Sequence, residues 1–259
     1  MFLPQKEKSI PSAIDCHCHI THEAFEKDRE QILNECAKRS ILVVNSVLTP
    51  KELELSLSLY ERGLILQSAG WDAKNLDYDK ALEMRRAIEN NAEKLVAVGE
   101  VGLDWFWVRD HEQRRTQEKI FRLFIDLADA LGKPLVVHSR SAGWACGELL
   151  LSLGFTRVLM HAFDGSSGVA KTLCEKGMLF SIPPSIARSE QKLKLVKNLP
   201  LSSLCLESDA PVLAPTKGER NTPLNVFVSA SWIAQIKRTS LQAVLQQTTN
   251  NALTLFKNA

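Results

Sequence analysis

No stretch of this 259-residue chain approaches the roughly 20 consecutive apolar residues of a membrane-spanning helix, so no membrane role is expected. The segment before Ala13 carries Lys6 and Lys8 with no apolar core after them, which lacks the form of a secretory leader and points to a cytoplasmic protein. The six cysteines (Cys16, Cys18, Cys36, Cys146, Cys174, Cys205) include no CxxC pair, which argues against a disulfide framework or a zinc knuckle and for reduced thiols. Neither GxGxxG nor GxxxxGKS/T occurs, so the common glycine-rich phosphate loops are absent. Charge is nearly balanced. With 32 Lys and Arg against 30 Asp and Glu, a net charge of +2 is too mild for wrapping long duplex nucleic acid, and any such contact is local. No repeat, low-complexity tract or linker divides the chain, and no obligate protein partner is implied.

What remains is ordinary globular composition, 45% hydrophobic, at the length of one complete α/β barrel. Short apolar or β-branched runs occur at 13–19, 41–47, 64–69, 95–100, 134–138, 157–161, 178–182 and 204–207. Eight such runs suffice to close a parallel barrel. Amphipathic stretches with helix punctuation separate them. Thr49-Pro50-Lys51-Glu52 supplies an N-cap hydroxyl, a first-turn proline and a capping-box glutamate, and Gly63 closes that helix. Over 110–131, Ile120, Phe121, Phe124, Leu127, Ala128 and Leu131 share one face, and Gly132 with Pro134 stop it. Thr222-Pro223 and Ser240 mark the starts of two closing helices. The expectation is a single (β/α)8 TIM-type barrel over 1–259.

Chemistry gathers at the strand ends. In Asp15-Cys16-His17-Cys18-His19 the two-residue strand period points Asp15, His17 and His19 to one side and both cysteines to the other. The fourth run ends in Glu100, the fifth in His138, the sixth in His161 and the eighth in Glu207-Ser208-Asp209. Four of the six histidines thus stand where a parallel barrel brings its strand ends to one face. This predicts a metal site built from His17, His19, Glu100, His138, His161 and Asp209. Neutral imidazoles cannot offset two divalent charges, so Glu100 suits a bridging position and Asp209 adds a second carboxylate. Mixed nitrogen and oxygen donors accommodate two ions of Zn, Mn or Mg.

The blocks Asp15-Cys-His-Cys-His19, Gly99-Glu-Val-Gly-Leu-Asp104, His138-Ser-Arg140, His161-Ala-Phe-Asp-Gly165, Glu207-Ser-Asp-Ala-Pro211 and Arg220-Asn221 together resemble the TatD family of metal-dependent deoxyribonucleases, within the amidohydrolase-like barrels. His138-Ser-Arg-Ser-Ala-Gly143 and Phe180-Ser-Ile-Pro-Pro-Ser-Ile186 are most similar to the third vertebrate branch of that family. The resemblance implies that His17, His19 and Asp209 hold one metal, His138 and His161 the other, and that Glu100 touches both. It further implies hydrolysis of DNA, as a 3'-5' exonuclease at single-stranded ends. One segment departs from the family pattern: Gly70-Trp71-Asp72-Ala73 stands where family members carry a Gly-x-His-Pro segment whose histidine approaches the substrate phosphate. An acid there repels a phosphate unless it binds metal or turns away.

The chemistry expected of these residues is in-line attack on a phosphodiester by a hydroxide shared between the metals, with Glu100 and Asp209 as catalytic groups and Asp209 accepting its proton. Arg140 and Arg220 are candidate phosphate clamps. Trp105, Phe106 and Trp107 either stack on an unpaired base or wall the pocket. Asp104 is read as a partner that fixes a ligand or an arginine, and Glu207 as a structural residue or a partner of a ligand. Two rivals stand beside the nuclease: a hydrolase of small amides or lactones, which with two metals often bridges them by a carboxylated lysine on the fourth strand, and a catalytically weak scaffold. A zinc deaminase is disfavoured because no P-C-x-x-C segment is present.

Overall fold

Strands covered on both faces read as unbroken apolar runs, and the computed structural model, which describes residues 10–257, forms eight strands at those runs. They are β1 (Ala13–Cys18), β2 (Ile41–Val47), β3 (Leu66–Ala69), β4 (Ala97–Gly102), β5 (Leu135–His138), β6 (Val158–Met160), β7 (Leu179–Ile182) and β8 (Leu204–Leu206). All ladders are parallel and join the strands in chain order. Helices α1 (Arg29–Lys38), α2 (Pro50–Glu61), α3 (Tyr78–Asn90), α4 (His111–Ala130), α5 (Gly143–Ser152), α6 (Ser167–Cys174) and α7 (Glu190–Asn198) each follow a strand, and α8 (Val226–Lys237) and α9 (Leu241–Lys257) follow β8. This is the expected barrel. Lys6 and Lys8 lie outside the described residues.

The capping signals act as read, with one exception. Thr49 accepts the Glu52 amide at 3.2 Å while Glu52 accepts the Leu48 amide at 2.9 Å, and Ser240 accepts the Ala243 amide at 3.1 Å. Thr222 makes no side-chain cap. Its helix opens with a 3-10 turn at Pro223–Asn225, because Asn221 Oδ1 takes the Thr222 amide at 2.9 Å and the Asn225 side-chain amide at 2.7 Å.

Two apolar layers result. The outer one lies between sheet and helices and includes Phe121, Phe124, Leu127 and Ala128 of α4. The inner one, with Ile14, Cys16, Val44, Leu66, Val136, Leu159 and Cys205, draws on strands all round the barrel and ends on Ala252 and Phe256 of α9. Helix α9 therefore plugs the end of the barrel opposite the ligand-bearing strand ends. The strict two-residue period expected along β1 does not hold. Its pairing with β2 shifts between Asp15 and Cys18, so Cys16 enters the inner layer and Cys18 the outer one instead of sharing a face.

The seam between β8 and β1 closes on a side chain. Asp15, fully buried, accepts the Ser208 amide at 2.8 Å and the Ser208 hydroxyl at 2.6 Å. Just beyond, the His17 carbonyl accepts the Asp209 amide at 2.9 Å and the Ala210 carbonyl accepts the His19 amide at 2.7 Å. These bonds lock His17, His19 and Asp209 into one register. Replacing Ser208 by Ala should cost about 1–3 kcal/mol of unfolding free energy, the penalty of leaving a buried carboxylate oxygen short of a donor. Urea denaturation measures it, and an unchanged midpoint would show that the seam does not depend on this bond.

Candidate metal centre

Glu100 sits on a bulge. The β4–β5 register skips it between Gly99 and Val101, and such a bulge re-aims its side chain relative to the regular pleat. Gly102 has φ +150°, and a Cβ there would collide with the His138 carbonyl oxygen, so only glycine lets the two strands approach so closely. The Ser46 hydroxyl from β2 spans the bulge, accepting the Glu100 amide at 2.9 Å and donating to the Gly99 carbonyl at 3.1 Å.

The carboxylate so placed meets imidazoles from β1, from β5 and from the residue that follows β6. Glu100 Oε2 lies 3.2 Å from His161 Nε2, 3.3 Å from His17 Nε2 and 3.8 Å from His138 Nδ1. On the other side, Asp209 Oδ1 lies 3.5 Å from His17 Nε2 and 3.6 Å from His19 Nε2. Two triads able to hold a metal emerge, His17–Glu100–His161 and His17–His19–Asp209, with His17 in both. His138 stands one step outside, facing Glu100. All six expected residues thus meet at one mouth, but His17 rather than Glu100 is the member common to the two triads.

A partner at the second nitrogen orients three of the rings. His19 Nδ1 lies 3.0 Å from the Ser46 carbonyl, His161 Nδ1 lies 3.1 Å from Glu207 and His138 Nε2 lies 3.0 Å from Asp104. Glu207 also accepts the Ala162 amide at 2.9 Å and the Ser181 hydroxyl at 2.6 Å, so it fixes both the ring and the turn that carries it. Asp104 and Glu207 thus each take up one of the roles expected of them, orienting a ligand. Ser46 had no motif to announce it.

The electrostatics of the cluster suit a divalent cation. Burial alone would raise the Glu100 carboxyl, yet His161 and His17 outweigh it and hold it well below the usual carboxylate range. Burial and the charge on His161 would both lower His17, yet the Asp209 and Glu100 carboxylates beside it, 3.5 and 3.3 Å away, bring it up to about 9. Burial likewise opposes charge on His161, and Glu207, Asp209 and Glu100 push it well above the ordinary imidazole value. Both nitrogens of His17 are buried without a hydrogen-bond partner among the described residues, the signature of a ring that serves as a ligand. Divalent cations fit this donor set of imidazoles and carboxylates.

The cluster opens into a cleft of about 540 Å³ whose lining includes Lys74, Arg140, Arg188 and Lys192 beside Glu100, Asp164 and Asp209. Lys192 of α7 is buried and donates to the Ala162 and Phe163 carbonyls, both at 2.6 Å, and burial lowers it to about 8. Asp72 accepts the Lys74 amide at 2.9 Å and lies 3.3 Å from Lys74 Nζ, so the acid at the atypical segment turns onto its own loop and a lysine faces the cleft. Lys74, Arg188 and Lys192 went unread because an isolated cation in a loop or helix carries no spacing signal. Arg140 lines the cleft as expected. Arg220 does not: both arms of its guanidinium bind Asp28, one at 2.9 Å, and it donates to the Ala24 carbonyl at 2.7 Å. The acid that captures it is far away in sequence, so the loop position alone was misleading.

A family model for TatD related DNase matches residues 14–257. The chain belongs to the TatD related DNase family. It is 42% identical over 260 aligned positions to the Homo sapiens protein named Deoxyribonuclease TATDN3, covering 94% of each, which agrees with the branch its motifs resemble. It is 32% identical over 246 positions to a metal-dependent hydrolase of Methanocaldococcus jannaschii, covering 94% of this chain and 96% of that one. Among solved structures, the TatD homolog YJJV of Escherichia coli superposes with a TM-score of 0.86 at 26% identity, covering 96% of this chain and 99% of that one. Family membership and the clustered donors together support divalent-metal use. Among the described residues, no helix is long and apolar enough to cross a membrane.

Two outcomes follow from this geometry. Metal must displace protons that the cluster holds on His17 and His161, so binding should release protons and tighten as pH rises from about 6 towards about 9. Titration calorimetry in buffers of different ionisation enthalpy detects that release, and identical heats in all buffers would contradict it. Replacing Arg220 by Met should change KM for a phosphodiester by less than about twofold, as expected of a partly exposed pair that does not line the cleft. A tenfold rise in steady-state KM would instead restore the clamp role.

Proposed function

We propose that this protein is a metal-dependent phosphodiester hydrolase, a deoxyribonuclease that removes nucleotides in the 3'-5' direction from single-stranded DNA ends. The observation that carries the reading is the convergence of three imidazoles on Glu100 Oε2 at 3.2, 3.3 and 3.8 Å, beneath a cleft lined by Lys74, Arg140 and Arg188. Buried acids with imidazoles suit cations, and the rim suits the anion those cations act on. The human relative's name and the family description point to the same substrate class.

In this reading His17, His19 and Asp209 would hold one ion and His138 and His161 the other, with Glu100 available to both. When bound, such ions polarise a phosphoryl oxygen and lower the pKa of a coordinated water from 15.7 to about 7. Asp209, kept ionised by His161 and His17 against its burial, orients the attacking water and accepts its proton. Arg140 pairs with the phosphate oxygens. Asp104 and Glu207 keep His138 and His161 facing inward, so the centre does not reorganise during the reaction. The modest net charge suits engagement of an end over a long duplex track.

Incubation of metal-loaded protein with single-stranded DNA, and separately with lactones and cyclic amides, tests the assignment. Cleavage of DNA alone is expected, abolished by a chelator and restored by Zn, Mn or Mg. Glu100→Ala should eliminate hydrolysis and keep a cooperative thermal melt. Equal rates in variant and parent would trace the activity to a contaminant, and turnover confined to lactones or amides would transfer the protein to the rival class.

A further inference from the structure

The turn after β4 leaves aromatic rings in water at the mouth of the metal centre. Phe106 is 40% exposed and Trp107 is 61% exposed, so neither walls the cleft by burial. Both are nevertheless firmly set. Asp104 Oδ1 accepts the Phe106 and Trp107 amides, each at 3.1 Å, while Asp104 Oδ2 lies 3.0 Å from His138 Nε2. One carboxylate therefore registers the aromatic turn to a metal-facing imidazole. The rings meet edge to face, with centroids 5.1 Å apart and planes at 90°.

Arg140 joins this turn to the cleft. Its guanidinium lies 3.9 Å from the Phe106 ring centroid and 5.9 Å from that of Trp107, and its carbonyl accepts the Trp105 amide at 2.9 Å. The same residue lines the cleft and makes no salt bridge among the described residues, although its charge helps hold the Asp104 carboxyl low. A cation stacked on one ring and open to the cleft leaves its N–H edge free for a phosphate. Beside it, the exposed indole of Trp107 offers a flat apolar face 5.9 Å from that guanidinium.

We propose that Phe106, Trp107 and Arg140 form a stacking platform for an unpaired nucleobase next to the phosphate engaged at the metal centre. The proposal rests on the phosphodiester reading and adds the feature that selects strand state. Bases inside a duplex have both faces covered by neighbours, whereas an unpaired base has a free face for an indole. Stacking reads no hydrogen-bonding edge, so the preference it creates is for single strands of any sequence. Trp107 acts here by binding and takes no part in the chemical step.

The test measures binding and chemistry separately on metal-loaded protein. Binding of a cleavage-resistant phosphorothioate oligothymidylate, followed by fluorescence anisotropy, should weaken about 5- to 100-fold in Trp107→Ala, the range expected for one lost base–aromatic stack. Trp107→Phe should retain affinity within about threefold, because a smaller ring still stacks. For a duplex of the same length the Trp107→Ala loss should be much smaller, so the parent's preference for single strands should shrink with the variant. Equal affinity of parent and Trp107→Ala, or equal losses for single strand and duplex, would overturn the platform. Hydrolysis of methyl p-nitrophenyl phosphate by the parent reports on the phosphodiester reading without any base. Its absence alongside a Trp107-dependent strand preference would sink that reading and spare the platform; its presence with unchanged Trp107→Ala affinity would do the reverse.

Discussion

A buried carboxylate is costly unless positive charge meets it, and Glu100 meets imidazoles delivered by β1, β5 and the residue that follows β6. Nothing in β4 alone could hold it there. The bulge that re-aims it depends on Gly102 admitting the β5 backbone, and on Ser46 of β2 bridging Glu100 and Gly99. The carboxylate in turn gives His17 and His161 a reason to crowd together, ring centroids 4.0 Å apart, where two charged imidazoles would repel. The cluster is therefore built for charge it does not itself supply, which is why a divalent cation resolves its electrostatics better than protons do.

Around this core the protein reuses its orienting groups. Ser46, Asp104 and Glu207 each hold a ligand ring through one atom and a stretch of backbone through another. Ring direction and loop position are thereby set by the same residue, and an error in one is felt in the other. Lys192 continues the pattern by gripping the carbonyls of Ala162 and Phe163, on the turn directly after His161. Acids at the centre and cations on the rim give the cleft the charge layout that an anionic ester needs.

The two ends of the barrel divide labour. At one, strand ends and the loops beyond them carry all the chemistry; at the other, α9 covers the inner layer with Ala252 and Phe256. The seam couples the two tasks, because Asp15 and Ser208 close the sheet one or two residues from His17 and Asp209.

Much of this was legible in the linear chain. Eight apolar runs, the Thr49 and Ser240 caps and the placement of histidines and acids at run ends imply a barrel with a metal-binding mouth, because the strands of a parallel barrel bring their C-terminal ends to one face however far apart they lie in sequence. Side-chain direction where the pleat breaks was not legible. The register shift in β1 separates Cys16 from Cys18, and His17, not Glu100, became the residue shared by both triads. Nor were the partners of lone charges: Arg220 turns to Asp28 and Lys192 to the His161 turn across long separations, while Asp72 folds back onto Lys74 of its own loop. A periodic signal survives in one dimension because backbone geometry repeats it. A lone charged side chain has no such period, and its partner is chosen only when the folded chain brings distant segments within reach.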